Sequence, residues 1–326
     1  MKKYLLLIIS ILLVMSTTGC SSYTELNDLG IVSLLGIDYK NNNYQVYVTI
    51  MKGKQNDGTL EKEQTYLYTE AKTIEEAFKK ITLQSDKKIY LSHVDTLLLT
   101  KNLIDNHLKD IIHNFLNNNE SRNNFYLVLL KDDIKTYFDK EITAEEINKL
   151  VEINHKESGT ISEIDFESFL RNLLIDNNTT IPTISYTDNH LNVEGITLIK
   201  NYKVFDTLGI EDSILLNLMN NQVKNATIED IRIYDNETTI KTNKNKVTIS
   251  LNITTDNKDK LNTILKESCK KLLIYYQEQN YDLLKVSNKI KQNDFLYYKD
   301  TKDLLTKIQF KIKAKIKNKE KYIEEE

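Results

Sequence analysis

Short apolar runs alternate along this chain with segments of helical period, and that alternation limits the fold more than any other feature. A half-buried strand repeats every two residues and a helix about every 3.6. Ile31 to Asp38 and Tyr44 to Met51 read as paired strands around Asn41-Asn42-Asn43, residues that tolerate turn conformations. Gln64 to Ala71 reads as a third strand. Thr73-Ile74-Glu75-Glu76 has the pattern of a capping box, with Thr73 accepting from the Glu76 amide and Glu76 reaching back. The helix it opens should bury Ile74, Ala77, Phe78 and Ile81. Lys88 to Thr100 then reads as one apolar strand, Leu103 to Leu116 as a helix, and Phe125 to Leu130 as a buried strand. Strands alternating with helices imply a sheet covered on at least one face.

From Lys131 to Asp176 the pattern turns helical. Thr143-Ala144-Glu145-Glu146 opens one helix as a second capping box, and another helix spans about Ser162 to Leu174. Thr180 to Tyr186 is a strand whose Pro182, the chain's one proline, points to a sheet edge. Near His190 a second unit begins. Leu191–Lys200 and Lys203–Asp206 form a hairpin turning at Asn201-Tyr202, and Glu211–Asn220 is helical. Strands follow at Thr227–Tyr234, Thr238–Thr242 and Lys246–Ile253, then one long amphipathic helix from Asp259 to Lys291. Lys307 to Ile316 closes as a period-2 strand, apolar through Ile308, Phe310, Ile312 and Ile316. Its other face is basic, through Lys307, Lys311, Lys313, Lys315 and Lys317. That stripe reads as a solvated face that discourages edge pairing, with contact to anionic head groups as the alternative. The expected fold class is mixed α/β (α+β), several small domains that each pack helices on a mixed or antiparallel sheet. The expected divisions are a leader over 1–19, an αβ domain over 20–187 with a helical subdomain near 131–176, and a second αβ domain over 188–326.

The leader carries its own chemistry. Lys2 and Lys3 precede an apolar run from Tyr4 to Met15, and Ser16-Thr17-Thr18-Gly19 leads to Cys20. A run of about a dozen apolar residues has the length of a signal h-region, whereas a spanning helix needs roughly 20. The pattern predicts a lipobox, with Cys20 as the lipidated first residue of an extracytoplasmic, membrane-tethered chain. Cys269 is the one other cysteine, so lipidation of Cys20 leaves no intramolecular disulfide. Cys269 falls in a helical pattern with Leu265, Leu272, Leu273 and Tyr276, as a small buried thiol would. A formal charge of −3 gives no reason to expect a nucleic-acid partner.

No catalytic constellation stands out. The chain holds no G-x-S-x-G, H-E-x-x-H, C-x-x-C or Gly-rich phosphate loop. His93, His107, His113, His155 and His190 lack metal-ligand spacing. Glu75-Glu76 and Glu145-Glu146 begin helices, where the dipole favours negative charge. The expectation is no catalytic residue, no metal and no cofactor beyond the diacylglycerol and N-acyl lipid on Cys20.

Cys20 is followed by Glu25-Leu26-Asn27-Asp28-Leu29-Gly30-Ile31-Val32-Ser33 and then Gly36-Ile37-Asp38. This resembles the opening of the Ger(x)C family, the C-subunit lipoproteins of spore germinant receptors. Lys87 to Thr100, with Ser92-His93-Val94-Asp95 at its centre, looks like that family's strand with a central His. Gly195-Ile196-Thr197-Leu198-Ile199-Lys200, followed by Lys203-Val204-Phe205-Asp206, resembles the start of its C-terminal domain. Ser21-Ser22 stands where the family often has Trp-Asp, and Asp294-Phe295-Leu296-Tyr297 resembles its Asp-x-x-Gly element without the glycine. The resemblance implies a non-enzymatic, lipid-anchored subunit on the outer face of the spore inner membrane. It would work in assembly and signalling beside membrane-embedded A and B subunits. A substrate-binding lipoprotein of an importer is the alternative, and a thermal-shift screen with amino acids and sugars would separate the two. A surface hydrolase would need a site that the sequence does not display.

Overall fold

The computed structural model describes residues 29–56, 59–117 and 122–319. The leader and Cys20 lie outside them. Strands β1 (Leu29–Lys40), β2 (Asn43–Asn56) and β3 (Thr59–Ala71) form an antiparallel meander. Asn41 and Asn42 turn the first hairpin at φ 51° and 60°, conformations that Asn adopts more readily than most residues. Helix α1 (Ile74–Gln84) follows. The Thr73 hydroxyl accepts from the Glu76 N–H at 3.1 Å, but the Glu76 carboxylate takes the Lys72 N–H at 3.2 Å, so this box closes on only one side.

The apolar run at 88–100 is two strands, β4 (Lys88–Tyr90) and β5 (Thr96–Thr100), both parallel to β1. Ile31 matches Tyr90 and Leu34 matches Thr96, so three extra residues must loop out between them. That turn holds His93, and the Asp95 N–H ties it back to the Ser33 carbonyl at 2.9 Å. Helix α2 (Lys101–Asn117) leads to β6 (Tyr126–Leu130). Helices α3 (Ile134–Asp139) and α4 (Ala144–Ile153) then cross the sheet's second face, and Thr143 with Glu146 makes a complete capping box. Helix α5 (Phe166–Asp176) begins at an Asp165 cap, four residues later than its pattern suggested. Strands β7 (Asn178–Thr187), β8 (His190–Lys200) and β9 (Lys203–Leu208) complete a nine-stranded sheet of order β3-β2-β1-β5-β6-β7-β8-β9, with β4 also on β1.

One sequence expectation departs from this sheet. Pro182 sits on an interior strand, not an edge. The β6 register covers only Thr183 and Ile184, so the proline stands just outside that short ladder. The division at 187/188 falls at the tip of the β7–β8 hairpin, with both strands in one sheet.

Helix α6 (Ile210–Met219) is buried at every position from Ser213 to Met219. A helix apolar on all sides needs cover on all sides, and α6 is enclosed between the large sheet and a second, four-stranded one. That sheet has the order β10-β11-β12-β13, built from β10 (Ala226–Ile228), β11 (Ile231–Asn243), β12 (Lys246–Thr255) and β13 (Gln309–Asn318). The strands expected at 227–234 and 238–242 are therefore divided elsewhere, at Glu229, whose φ is 50°. Helix α7 (Lys258–Glu278) covers the sheet's apolar face.

The long helix expected to Lys291 stops at Glu278 because Tyr281 is pulled into the junction between the units. Its ring stacks on Phe205 at 4.8 Å and its hydroxyl donates to the Thr179 carbonyl at 3.2 Å. Asn280 and Lys285 take positive φ on either side. Asp282 then accepts from the Val286 and Ser287 N–H groups at 2.9 and 2.7 Å and starts α8 (Val286–Asn293). Asp294 caps the short α9 (Phe295–Asp300), and α10 (Leu304–Lys307) precedes β13. Tyr276 donates to Asp206 at 2.7 Å, and the Asn217 amide reaches the Gly159 and Ile161 carbonyls at 2.8 and 2.9 Å. These contacts bolt the two units together.

Candidate binding cleft

Gly36-Ile37-Asp38 does three jobs in three residues. Gly36 has no side chain to hold α3 away. A Cβ there would lie 2.7 Å from both Ile134 Cδ1 and Phe138 Cε2, so only glycine lets α3 press directly on β1. Ile37 points to the opposite face and is fully buried in the main core. Asp38, 1% exposed, accepts from the Thr100 hydroxyl and from the Tyr39 N–H at 2.8 Å. Lys40 lies 3.0 Å from Asp38 Oδ2 and 3.0 Å from Asp133 Oδ2. Asp133 also caps α3 by accepting the Lys135 N–H at 2.9 Å. Burial pulls the Lys40 ammonium down, but the two carboxylates outweigh it and hold the ammonium above its ordinary value. Burial likewise opposes Asp133, and Lys40 with the capped N–H holds that carboxyl low.

These charges close one end of a cleft of about 480 Å³ between α3 and the β2–β3 ribbon. Tyr47 stacks between Phe138 (5.1 Å, 27°) and Tyr68 (4.6 Å, 37°), its cross-strand partner. Burial pushes the Tyr47 hydroxyl up to about 12. The Tyr66 hydroxyl donates to Gln64 Oε1 at 2.8 Å, and Tyr68 donates to the Glu70 carboxylate. The cleft opens at the carboxyl ends of parallel strands β1, β5 and β6, where loops of successive strands diverge and open α/β sheets bind ligands. Stacked rings beside compensated charges can grip a small polar molecule or a partner's side chain. They include no activated nucleophile.

A second polar cluster lies on the sheet's other face. The Tyr44 hydroxyl donates to Asp110 Oδ2 at 2.8 Å, His107 Nδ1 is 3.1 Å from that hydroxyl and 3.0 Å from the carboxylate, and Tyr39 packs on the imidazole at 3.7 Å. Burial, then Asp110, raises the Tyr44 hydroxyl pKa further. That is the wrong direction for a nucleophile, so the cluster reads as a lock between α2 and β2. His93 sits in the β4–β5 turn near Tyr90, and His155 Nδ1 meets the Ile161 carbonyl at 3.0 Å. No group of three His, Cys, Asp or Glu side chains among the described residues is arranged to hold a metal. Cys269 is fully buried in α7, and burial pushes its thiol up to about 12.

The aromatic cleft is not legible in the sequence. Only its charged end leaves a signal, Asp38 and Lys40 two apart at a strand end, with Asp132-Asp133 following another strand. Gly195, at the second landmark, has a structural reason of its own. Its φ is 119°, and a Cβ there would overlap the Leu208 carbonyl oxygen and crowd Ser213. The Ser213 hydroxyl accepts the Ile196 N–H at 3.0 Å and donates to the Leu208 carbonyl at 3.2 Å, pinning α6 to β8 and β9.

Comparison with known proteins points one way. Residues 22–186 match the family described as the spore germination protein N-terminal domain. Spore germination protein KC of Bacillus subtilis (strain 168) is 26% identical over 199 residues, covering 56% of this chain and 48% of that protein. The chain thus matches about half the length of that curated relative. The crystal structure of the GerBC protein superposes with a TM-score of 0.57 at 16% identity, covering 87% of this chain and 96% of that one. The last likeness establishes the shared fold.

Proposed function

The chain belongs to the Ger(x)C family of spore germination proteins, and from that premise we propose that it is the lipid-anchored C subunit of a spore nutrient germinant receptor. The observation that carries this reading is the family match, which runs through the whole of the first unit up to Tyr186. The leader ending at Cys20 supports the anchor. One acyl chain binds a bilayer marginally, while a diacylglyceryl group with an N-acyl chain holds a protein stably. No helix among the described residues is long and apolar enough to cross a membrane. The anchor would place the chain on the outer face of the spore inner membrane, beside membrane-embedded A and B subunits. A role in assembly and signalling is supported by the paired state of the cleft's charges, which suits holding a partner rather than turning over a substrate.

The test is germination of purified spores across a nutrient panel, comparing a deletion strain with one carrying Cys20→Ala. Both should lose the response to the same nutrient. A deletion strain that germinates normally on every nutrient, with no paralogous receptor left in the background, overturns the reading.

A further inference from the structure

We propose that the edge of the large sheet where β1 begins lies against the bilayer, with Leu83, Leu116, Leu174 and Ile175 entering its interfacial layer; this rests on the reading of Cys20 as the lipid anchor. The argument starts from strand direction. β1, β5 and β6 are parallel, so their first residues share one edge and the cleft occupies the other. A helix joining parallel strands must run back to the starting edge. Helix α1 ends four residues before Lys88, which pairs with Leu29 at the first position of β1. Helix α2 ends nine residues before Tyr126, the first residue of β6. Helix α5 starts beside Phe125, whose carbonyl accepts the Phe166 N–H at 2.9 Å, and ends two residues before β7.

The last turns of these three helices carry four exposed aliphatic side chains, while Leu296 on α9 and Ile153 on α4 are exposed on other helices. Leu83 is 86% exposed, Leu174 64%, Ile175 60% and Leu116 51%. One exposed leucine is ordinary on a soluble surface, but four at one edge invite cover. The chain itself indicates what covers them. Nine residue steps separate Cys20 from Leu29, and a fully extended chain advances at most about 3.6 Å per step, or roughly 32 Å in all. A lipid on Cys20 therefore holds the start of β1 within roughly 32 Å of the membrane. Arg122, just beyond α2, and Arg171, on α5, add positive charge suited to anionic head groups.

The test uses the full, lipidated chain in vesicles of phosphatidylglycerol and phosphatidylcholine. A nitroxide is attached in turn at Leu83→Cys, Leu116→Cys and Leu174→Cys, with Lys101→Cys at the opposite edge as the aqueous control. The native Cys269 is buried and does not compete for the label. At the three apolar sites, collision with a water-soluble nickel chelate should fall at least about fivefold relative to the control, while collision with oxygen rises. Intact mass reports separately whether the lipid is on Cys20. Lipidated protein whose three labels stay as aqueous as Lys101→Cys overturns the face and leaves the anchor standing. Missing lipid mass overturns the anchor, and the face with it. Spin–spin broadening that grows with protein density assigns the edge to a second copy and overturns the bilayer contact.

Discussion

The two sheets solve burial in opposite ways. The inner strands of the large sheet are covered on both faces, by α1, α2 and α5 on one side and by α3 and α4 on the other. All five residues of β5 are buried. Among the described residues the small sheet is covered on one face, and β13 alternates exposed lysines with side chains turned toward α7. A strand buried on both faces cannot carry polar chemistry along its length, so its chemistry collects at its ends. That is where the large sheet has it, with Asp38, Lys40 and Asp133 at and just beyond the carboxyl ends. The small sheet spreads its polarity along the outer face of β11, β12 and β13.

The largest expected effect lies where the two units meet. Gly195→Ala forces a side chain into a backbone region with φ of 119° and against the Leu208 carbonyl. Strain and overpacking of that kind cost about 1–3 kcal/mol each, so a loss of roughly 3–5 kcal/mol in urea unfolding is expected. An unchanged midpoint would show that β8 and α6 relax apart, and that the units are less tightly joined than the Ser213 bonds indicate.

The next effect separates the sheets directly. Leu98→Ala and Leu99→Ala, neighbours that point to opposite faces of β5, should each cost about 2–5 kcal/mol. In β12, Ile249→Ala should cost as much, whereas Ser250→Ala should stay within about 0.5 kcal/mol. Equal losses at Ile249 and Ser250 in the same unfolding assay would mean that something covers the outer face of the small sheet.

The same contrast explains what was legible in the sequence. Period-2 strands with one wet face, such as β13, announce themselves to within two residues at each end, since Lys307 ends α10, and so do asparagine turns at 41–42 and 201. Continuous apolar runs do not show where they break. Nothing local marks the three residues looped out between Tyr90 and Thr96, because only the register against β1 requires them. Tyr281 ends α7 for a tertiary reason, its place between Phe205 and Thr179, while the local pattern continues to Lys291. The cleft escaped for a related reason. Tyr47, Tyr68 and Phe138 come from three segments and read singly as core or surface tyrosine and phenylalanine.

Charges at the carboxyl ends set the third effect. Lys40→Met leaves the buried Asp38 carboxylate with only the Thr100 hydroxyl and one backbone N–H, and leaves Asp133 with its capped N–H. A loss of roughly 1–3 kcal/mol at pH 7 is expected. Asp133 is held low in the folded state, so its contribution is present above the ordinary carboxylate range near 4 and vanishes as pH falls through its folded value. The gap between wild type and variant should therefore narrow as pH falls below about 4. A gap that persists there would assign the loss to packing of the lysine stem instead.

The smallest effect belongs to the starting edge and has the opposite sign. Asp95 follows the His93 turn, and burial raises its carboxyl above the ordinary value, with His93 opposing weakly. A carboxyl raised by folding binds its proton more tightly when folded, so its stabilising contribution is complete below about pH 4 and is lost as pH rises past the folded value. At pH 7 the ionised Asp95 is therefore a small liability. Asp95→Asn removes it and should gain less than about 0.5 kcal/mol at pH 7, since the group is partly solvated, and nothing at pH 3. The control is Asp133→Asn, where Asn still caps α3 and the predicted change at pH 7 is a loss. Opposite signs at the two ends of the same parallel strands would show that only the carboxyl end is built to keep a charge. Two losses would mean that Asp95 has a partner of its own and that the starting edge is a polar site too.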